Sequence, residues 1–139
     1  MVWWQRQRAN LQHLAEQTDK VPTAHVKGQQ AEAQALAYLQ AQGLALVARN
    51  YKTPGRGGGE IDLILRATDG TVVFVEVRSR SHDGFGGAAQ SIGVTKRQRV
   101  VLAARHWLLH TGVQSACRFD VVLIEGSQLQ WLRGAFDAS

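Results

Sequence analysis

An α/β fold, with a mixed β-sheet flanked by helices, is what this 139-residue sequence predicts. Helical and strand-like stretches follow one another in the order α-β-β-β-α-β-β. Two of the strand-like stretches flank Thr68-Asp69-Gly70, a turn signal that makes them a hairpin. An apolar fraction of 45% against 19% charged residues is that of an ordinary globule, and the length suffices for one domain with a real core.

Residues 1–25 read as an N-terminal appendage, with a short helix from Trp3 to Gln17 and a break at Pro22. Residues 26–139 read as the α/β domain. Lys27 to Gln42 has helical spacing, with Ala31, Ala35, Tyr38 and Leu39 on one face and Gly43 as a stop. Leu44 to Asn50 follows as a strand, and the run from Pro54 to Gly59 is expected to be a flexible loop. The hairpin strands are Gly59 to Leu65 and Thr71 to Arg78. Ser81 to Gly93 is a loop-rich stretch containing Gly84, Phe85, Gly86 and Gly87. A second helix spans Thr95 to His110, with Thr95 as its N-cap and Gly112 as its end. Its apolar face is Val100, Val101, Ala104, Trp107 and Leu108. Phe119 to Ile124 reads as a buried strand, with Gln128 to Leu132 beside it.

The hairpin carries the most informative chemistry. A turn centred on Asp69 sets Asp62 opposite Glu76, and Glu60 opposite Arg78, on one side of the sheet. Directly opposed side chains stand about 5 Å apart at Cβ, where like charges repel. Two carboxylates facing each other among Ile, Leu and Val therefore call for a cation. On the other face, Ile61, Leu63, Val75 and Val77 form an apolar set expected to pack against a helix. Hard oxygen ligands of this kind suit Mg²⁺ or Mn²⁺, which take few protein carboxylates and keep several waters.

A net charge of +5, with 16 basic residues, points to an anionic partner, nucleic acid first among them. Cys117 is the single cysteine, so an internal disulfide and a thiolate zinc cluster are excluded. No apolar run is long enough to span a bilayer, and Met1-Val2-Trp3-Trp4-Gln5-Arg6 lacks the apolar core of a signal peptide. The expected location is the cytoplasm.

The strings Gly59-Glu60-Ile61-Asp62-Leu63-Ile64 and Val73-Phe74-Val75-Glu76-Val77-Arg78-Ser79-Arg80 resemble the YraN family of small bacterial proteins. That family is similar to a branch of the PD-(D/E)XK nuclease superfamily, close to archaeal Holliday-junction resolvases. The resemblance extends to Gly28-Gln29-Gln30-Ala31-Glu32, Arg49-Asn50-Tyr51, Phe85-Gly86, Lys96 and Arg118-Phe119-Asp120, and covers about residues 27 to 125. It implies a restriction-endonuclease-like fold and a metal-dependent nuclease acting on DNA, through metal-activated water attacking a phosphodiester. Under it, Asp62 and Glu76 hold Mg²⁺ or Mn²⁺, Glu32 approaches the same ion, and the Val77 carbonyl completes the site. Position 78 is where the superfamily places a catalytic lysine; here it is Arg78. Arginine keeps its charge at any physiological pH and cannot serve as a neutral base, though it can orient a water or steady phosphate charge.

That departure sets up the alternative, a catalytically impaired nucleic-acid-binding protein of the same fold. A third reading is an interaction module whose carboxylates pair with Arg78 and Arg80. Lys96, Arg80, Arg56 and Arg99 are the candidate nucleic-acid contacts, Lys96 and Arg99 near the positive end of the second helix. A resolvase-like protein is expected to be a homodimer. Glu60 reads as a structural partner of Arg78 or a loop anchor, and Asp120 as a partner of Arg118. His106 and His110 stand four apart on a helix, but without an HExxH pattern they do not suggest zinc.

Overall fold

The computed structural model describes residues 23–80 and 92–138. The expected helix Trp3–Gln17, the break at Pro22 and the stretch with Gly84, Phe85, Gly86 and Gly87 lie outside the described residues. Helix α1 (Ala24–Ala41) opens earlier than Lys27 because Thr23 caps it, its hydroxyl accepting the Val26 N–H. Gly43, at φ 99°, provides the left-handed backbone that ends it. Ala31, Ala35, Leu36 and Leu39 are buried. Tyr38, expected on that face, lies on its flank, 38% exposed and edge-on to Trp131.

β1 (Ala45–Lys52) runs along the sheet edge, antiparallel to β2 (Glu60–Arg66), with a bulge between Leu46 and Ala48. β2 and β3 (Val72–Arg80) form the expected hairpin in the expected register, Leu63 opposite Val75 and Arg66 opposite Val72. Its turn is closed by the Asp69 carboxylate, which accepts the Thr71 N–H at 2.9 Å. Helix α2 (Val94–Thr111) returns the chain to β4 (Cys117–Glu125), which lies parallel to β3. β5 (Gln128–Phe136) closes the sheet antiparallel to β4 and runs on past Leu132, where the sequence reading ended it. The described residues thus form a five-stranded mixed sheet in the order β1-β2-β3-β4-β5, with one helix on each face. This is an α/β, restriction-endonuclease-like architecture.

The alternation of side chains along the strands divides the core into two layers. Leu63, Leu65, Val73, Val75, Val122 and Ile124 face α1, while Ile64, Phe74, Val121 and Leu123 face α2 with Trp107 among them. Ile61 was expected with Leu63 and Val75, but it packs in the α2 layer. It lies beyond the last β2–β3 pair but stays opposite Tyr51 of β1, next to the left-handed Asn50, so the regular alternation is broken between Ile61 and Leu63.

Two local features position α2 and β5. Thr95 is not the N-cap of α2; Gly93 is, without a side-chain hydrogen bond, and Thr95 falls inside the first turn. Asp120, fully buried on β4, accepts hydrogen bonds from Arg118 Nε, Trp131 Nε1 and the Gly134 N–H, all at 2.9–3.2 Å. This carboxylate anchors β5 where the β4–β5 register shifts, and the expected pairing with Arg118 is part of that anchor.

The Pro54–Gly59 run is tied at its ends rather than loose. Gly59 N–H donates to Thr53 Oγ1 at 2.7 Å, Thr53 N–H donates to Gly59 O at 3.0 Å, and Arg99 Nε donates to Gly58 O. Gly59 also sits against the backbone of α2: a Cβ there would lie 2.0 Å from Arg99 O and 2.8 Å from Ala103 N. Because those neighbours are backbone, no rotamer change can relieve the clash. Gly59→Ala is expected to destabilise the fold by about 1–3 kcal/mol, the usual cost of overpacking, read as a lower urea midpoint with unchanged slope.

Candidate active site

The site forms where β2 and β3 stop pairing. The ladder ends at Leu63 and Val75, and one residue further the Asp62 carboxylate takes the Val77 N–H at 2.8 Å. β3 meanwhile stays paired to β4, with Glu76 opposite Val121 and Arg78 opposite Leu123. Asp62 therefore fills the opening between two diverging strands, within hydrogen-bonding reach of Glu76 and of Glu32 on α1. The structure brings together the three carboxylates that the sequence singled out.

Glu76 is only 5% exposed. Burial, and then the negative charge of Asp62, push its carboxyl up to about 8, against the opposing pull of Lys96 and Arg78. Its Oε1 lies 3.5 Å from Lys96 Nζ, while its Oε2 is buried with no hydrogen-bond partner. A buried carboxylate oxygen that meets no donor is uncommon, and the Asp62 carboxyl beside Glu76 is a group that can share a proton with it. Burial thus outweighs the nearby ammonium and favours the protonated form of Glu76, and a bound cation would favour the ionised form.

Lys96 lies in the first turn of α2 and reaches into this pocket. Its Nζ bonds Glu60 Oε1 at 2.9 Å and approaches Glu76 at 3.5 Å. Glu60, expected opposite Arg78, is held by Lys96 instead, and that hydrogen bond keeps its carboxyl below the usual range. Burial works against the charge on Lys96, but the hydrogen bond to Glu60 and the charges of Glu76, Glu60 and Asp62 outweigh it, so its pKa rises. An ammonium in the first turn opposes the helix dipole. Here the carboxylates of the site offset that cost.

Glu32 lies within the buried stripe of α1, since at about 3.6 residues per turn it falls between Leu39 and Leu36. Burial and the Asp62 charge raise its pKa, and a hydrogen bond from Asn50 opposes the rise. With its amide nitrogen turned toward Glu32, Asn50 donates to both carboxylate oxygens, at 3.1 and 3.3 Å. Asn50 is also the non-glycine residue at positive φ, 50°, among the described residues. In the sequence Asn50 only ends the predicted strand and falls in the Arg49-Asn50-Tyr51 string; β1 in fact runs on to Lys52, and an Asn within such a run is the signal for its role.

The remaining candidates are more dispersed. Arg78 is half-buried, with Nε buried and unbonded. Arg80 is exposed at the end of β3, Arg56 is exposed in the glycine run, and Arg99 is exposed on α2 above that run. His106 is engaged by the Tyr51 hydroxyl and stacks on His110. Among the described residues, no group of three or more His, Cys, Asp or Glu side chains is placed to hold a metal ion, so Glu32, Asp62 and Glu76 are neighbours without being a ready three-ligand set.

The family model described as "Uncharacterised protein family UPF0102" matches residues 31–124. The chain belongs to this family. A UPF0102 protein of Acidovorax sp. (strain JS42) is 65% identical over 117 residues, covering 84% of this chain and 89% of its own. That of Paracidovorax citrulli (strain AAC00-1) is 63% identical, covering 84% and 86%. That of Verminephrobacter eiseniae (strain EF01-2) is 59% identical, covering 84% and 81%. UPF0102 is the YraN family, so the resemblance read from the hairpin strings holds. The UPF0102 match takes in Glu32, Asp62, Glu76, Arg78 and Lys96.

The raised carboxyl of Glu76 has a sign that can be measured. Between its ordinary value of 4.5 and about 8, the folded chain keeps a proton that the unfolded chain has lost. Stability in EDTA is therefore expected to fall as pH rises through that window. Glu76→Gln should flatten the fall in a thermal-melt series taken across it; an unchanged profile would assign the titration elsewhere.

Proposed function

We propose that this chain is a divalent-metal-dependent nuclease acting on DNA, in which Lys96 supplies the ammonium that Arg78 does not. The observation that carries this reading is Lys96 Nζ at 2.9 Å from Glu60 and 3.5 Å from Glu76, beside the open Oε2 of Glu76. A lysine brought to the carboxylates from a helix removes the objection raised by an arginine on the strand.

The donor set fits Mg²⁺ or Mn²⁺: every donor is a hard oxygen, and Mg²⁺ needs only one or two protein carboxylates. Asp62 and Glu76 would hold the ion, with Glu32 beside it. Because Val77 directs its N–H to Asp62, its carbonyl lies on the same strand edge, which supports its inclusion. The bound ion supplies Lewis acidity toward a phosphoryl oxygen and acidifies a water. The chain's own residues do the rest. Asn50 orients Glu32, and Glu60 holds the Lys96 ammonium in place. That ammonium, protonated at neutral pH, offsets charge developing on a phosphate. Arg78, with Nε open, can share that load through its planar fork. Arg56, Arg80 and Arg99 extend positive charge outward for the DNA backbone. Branched DNA as substrate and a homodimer as the working form follow by analogy with resolvases, and the cytoplasm is the proposed location.

Incubation with branched and linear DNA in Mg²⁺ or Mn²⁺ tests the proposal. Wild type should cleave, Asp62→Ala should not, and Lys96→Met should lose about 10²–10³-fold in rate, as for removal of a transition-state donor. Arg78→Lys should change the rate little; a large gain would return the role to position 78. DNA retarded in gels but cut by no variant would establish the binding-only reading. Asn50→Gly keeps the backbone conformation and removes the amide, so Mn²⁺ affinity should fall about 10–100-fold, measured by calorimetry, with the melting point nearly unchanged.

A further inference from the structure

A cavity that shares Glu60 with the surroundings of the carboxylate site lies on the β1 side. It has a volume of about 220 Å³ and is lined by Lys52, Thr53, Gly55, Gly57, Gly58, Gly59, Glu60 and Arg99. Two cations face it from different elements, Lys52 from the end of β1 and Arg99 from α2. Its floor is backbone. Gly55 and Gly57 have φ of 90° and 70°, and a Cβ on either would meet nothing within 4 Å, so their bare backbone faces open space.

The cavity is also firmly built. The Thr53–Gly59 hydrogen bonds close the neck of the loop, and Arg99 Nε holds Gly58 O from above. Its single acid, Glu60, is already neutralised by Lys96 at 2.9 Å, so the net character of the wall is positive. Glu60 and Lys96 form the partition with the neighbouring site: Lys96 touches Glu60 on one side and Glu76 on the other.

We propose that this glycine-floored cavity is a subsite for a backbone phosphate, held by Lys52 and Arg99, adjacent on the strand to the phosphodiester at Asp62 and Glu76. A phosphate oxygen needs cations and a close approach to backbone, and glycines without Cβ permit that approach. The assignment rests on the nucleic-acid reading above and deepens it, since it fixes the side of the site along which the strand runs. The strand then passes over the β1–β2 loop on its way to the carboxylates.

The test is binding rather than cleavage, in EDTA, with a fluorescently labelled DNA duplex and anisotropy read across a NaCl series. Lys52→Gln and Arg99→Gln remove charge only; glutamine keeps an N–H donor for Gly58 O, and circular dichroism checks that the fold is retained. Each substitution should make the slope of log K against log salt shallower by about 1, and the two together by about 2. Arg66→Gln, at the turn end of β2, is the control and should leave the slope unchanged. A slope indifferent to Lys52 and Arg99, or moved as much by Arg66→Gln, overturns the subsite, as does a wild type that binds no duplex. A wild type that binds with the expected slope changes but cuts nothing in Mg²⁺ retires the nuclease reading and leaves the subsite standing.

Discussion

Where β2 and β3 part, the Val77 N–H takes a carboxylate instead of a carbonyl, and the rest of the site follows from that exchange. A strand end usually gives its backbone groups to water or to a turn. Here the N–H is satisfied by Asp62, which draws an acid into the opening between two buried strands, next to Glu76. Like charges so placed raise the energy of the ionised pair, and the raised carboxyl of Glu76 is the result. Lys96 from one face of the sheet and Glu32 from the other complete the surroundings of a gap that the backbone itself opens.

Much of this was legible in the sequence because it depends on local pattern. The turn at Asp69 sets the hairpin register, and the register places Asp62 near Glu76. Element order and helix ends at Gly43 and Gly112 follow from periodicity and glycine. What was not legible arises where distant segments meet. Lys96 comes to the carboxylates across 36 positions of sequence, and nothing in its neighbours indicates whether it turns inward or toward solvent. Asn50 is hidden for another reason: a strand pattern does not show that one of its residues takes a positive φ. Ile61 and Tyr38 depart from ideal periodicity for local reasons: Ile61 sits opposite Tyr51 next to the left-handed Asn50, and Tyr38 lies at the lateral edge of a stripe that continues to Leu39.

Two buried acids stand on adjacent strands of the sheet and are treated differently. Asp120 has no exposed surface, and both its oxygens are taken up by Arg118, Trp131 and Gly134. Such an acid belongs to the fold, and removing a partner would leave an uncompensated charge. Glu76 is nearly as deep, yet one oxygen has no partner among the described residues. Burial alone does not distinguish these two acids; the donors that meet their oxygens do.

The bare contact at Gly59 gives the two ends of α2 different mechanics. Where the start of β2 meets Arg99 and Ala103, the separation of helix and sheet is set by backbone against backbone, a contact with no rotamers to adjust. Toward Trp107 the same helix rests on side chains, Phe74 among them, whose volumes and rotamers can change. A change of core volume near Trp107 would therefore be met by side chains, whereas beside Gly59 the distance between helix and sheet has a lower limit set by backbone.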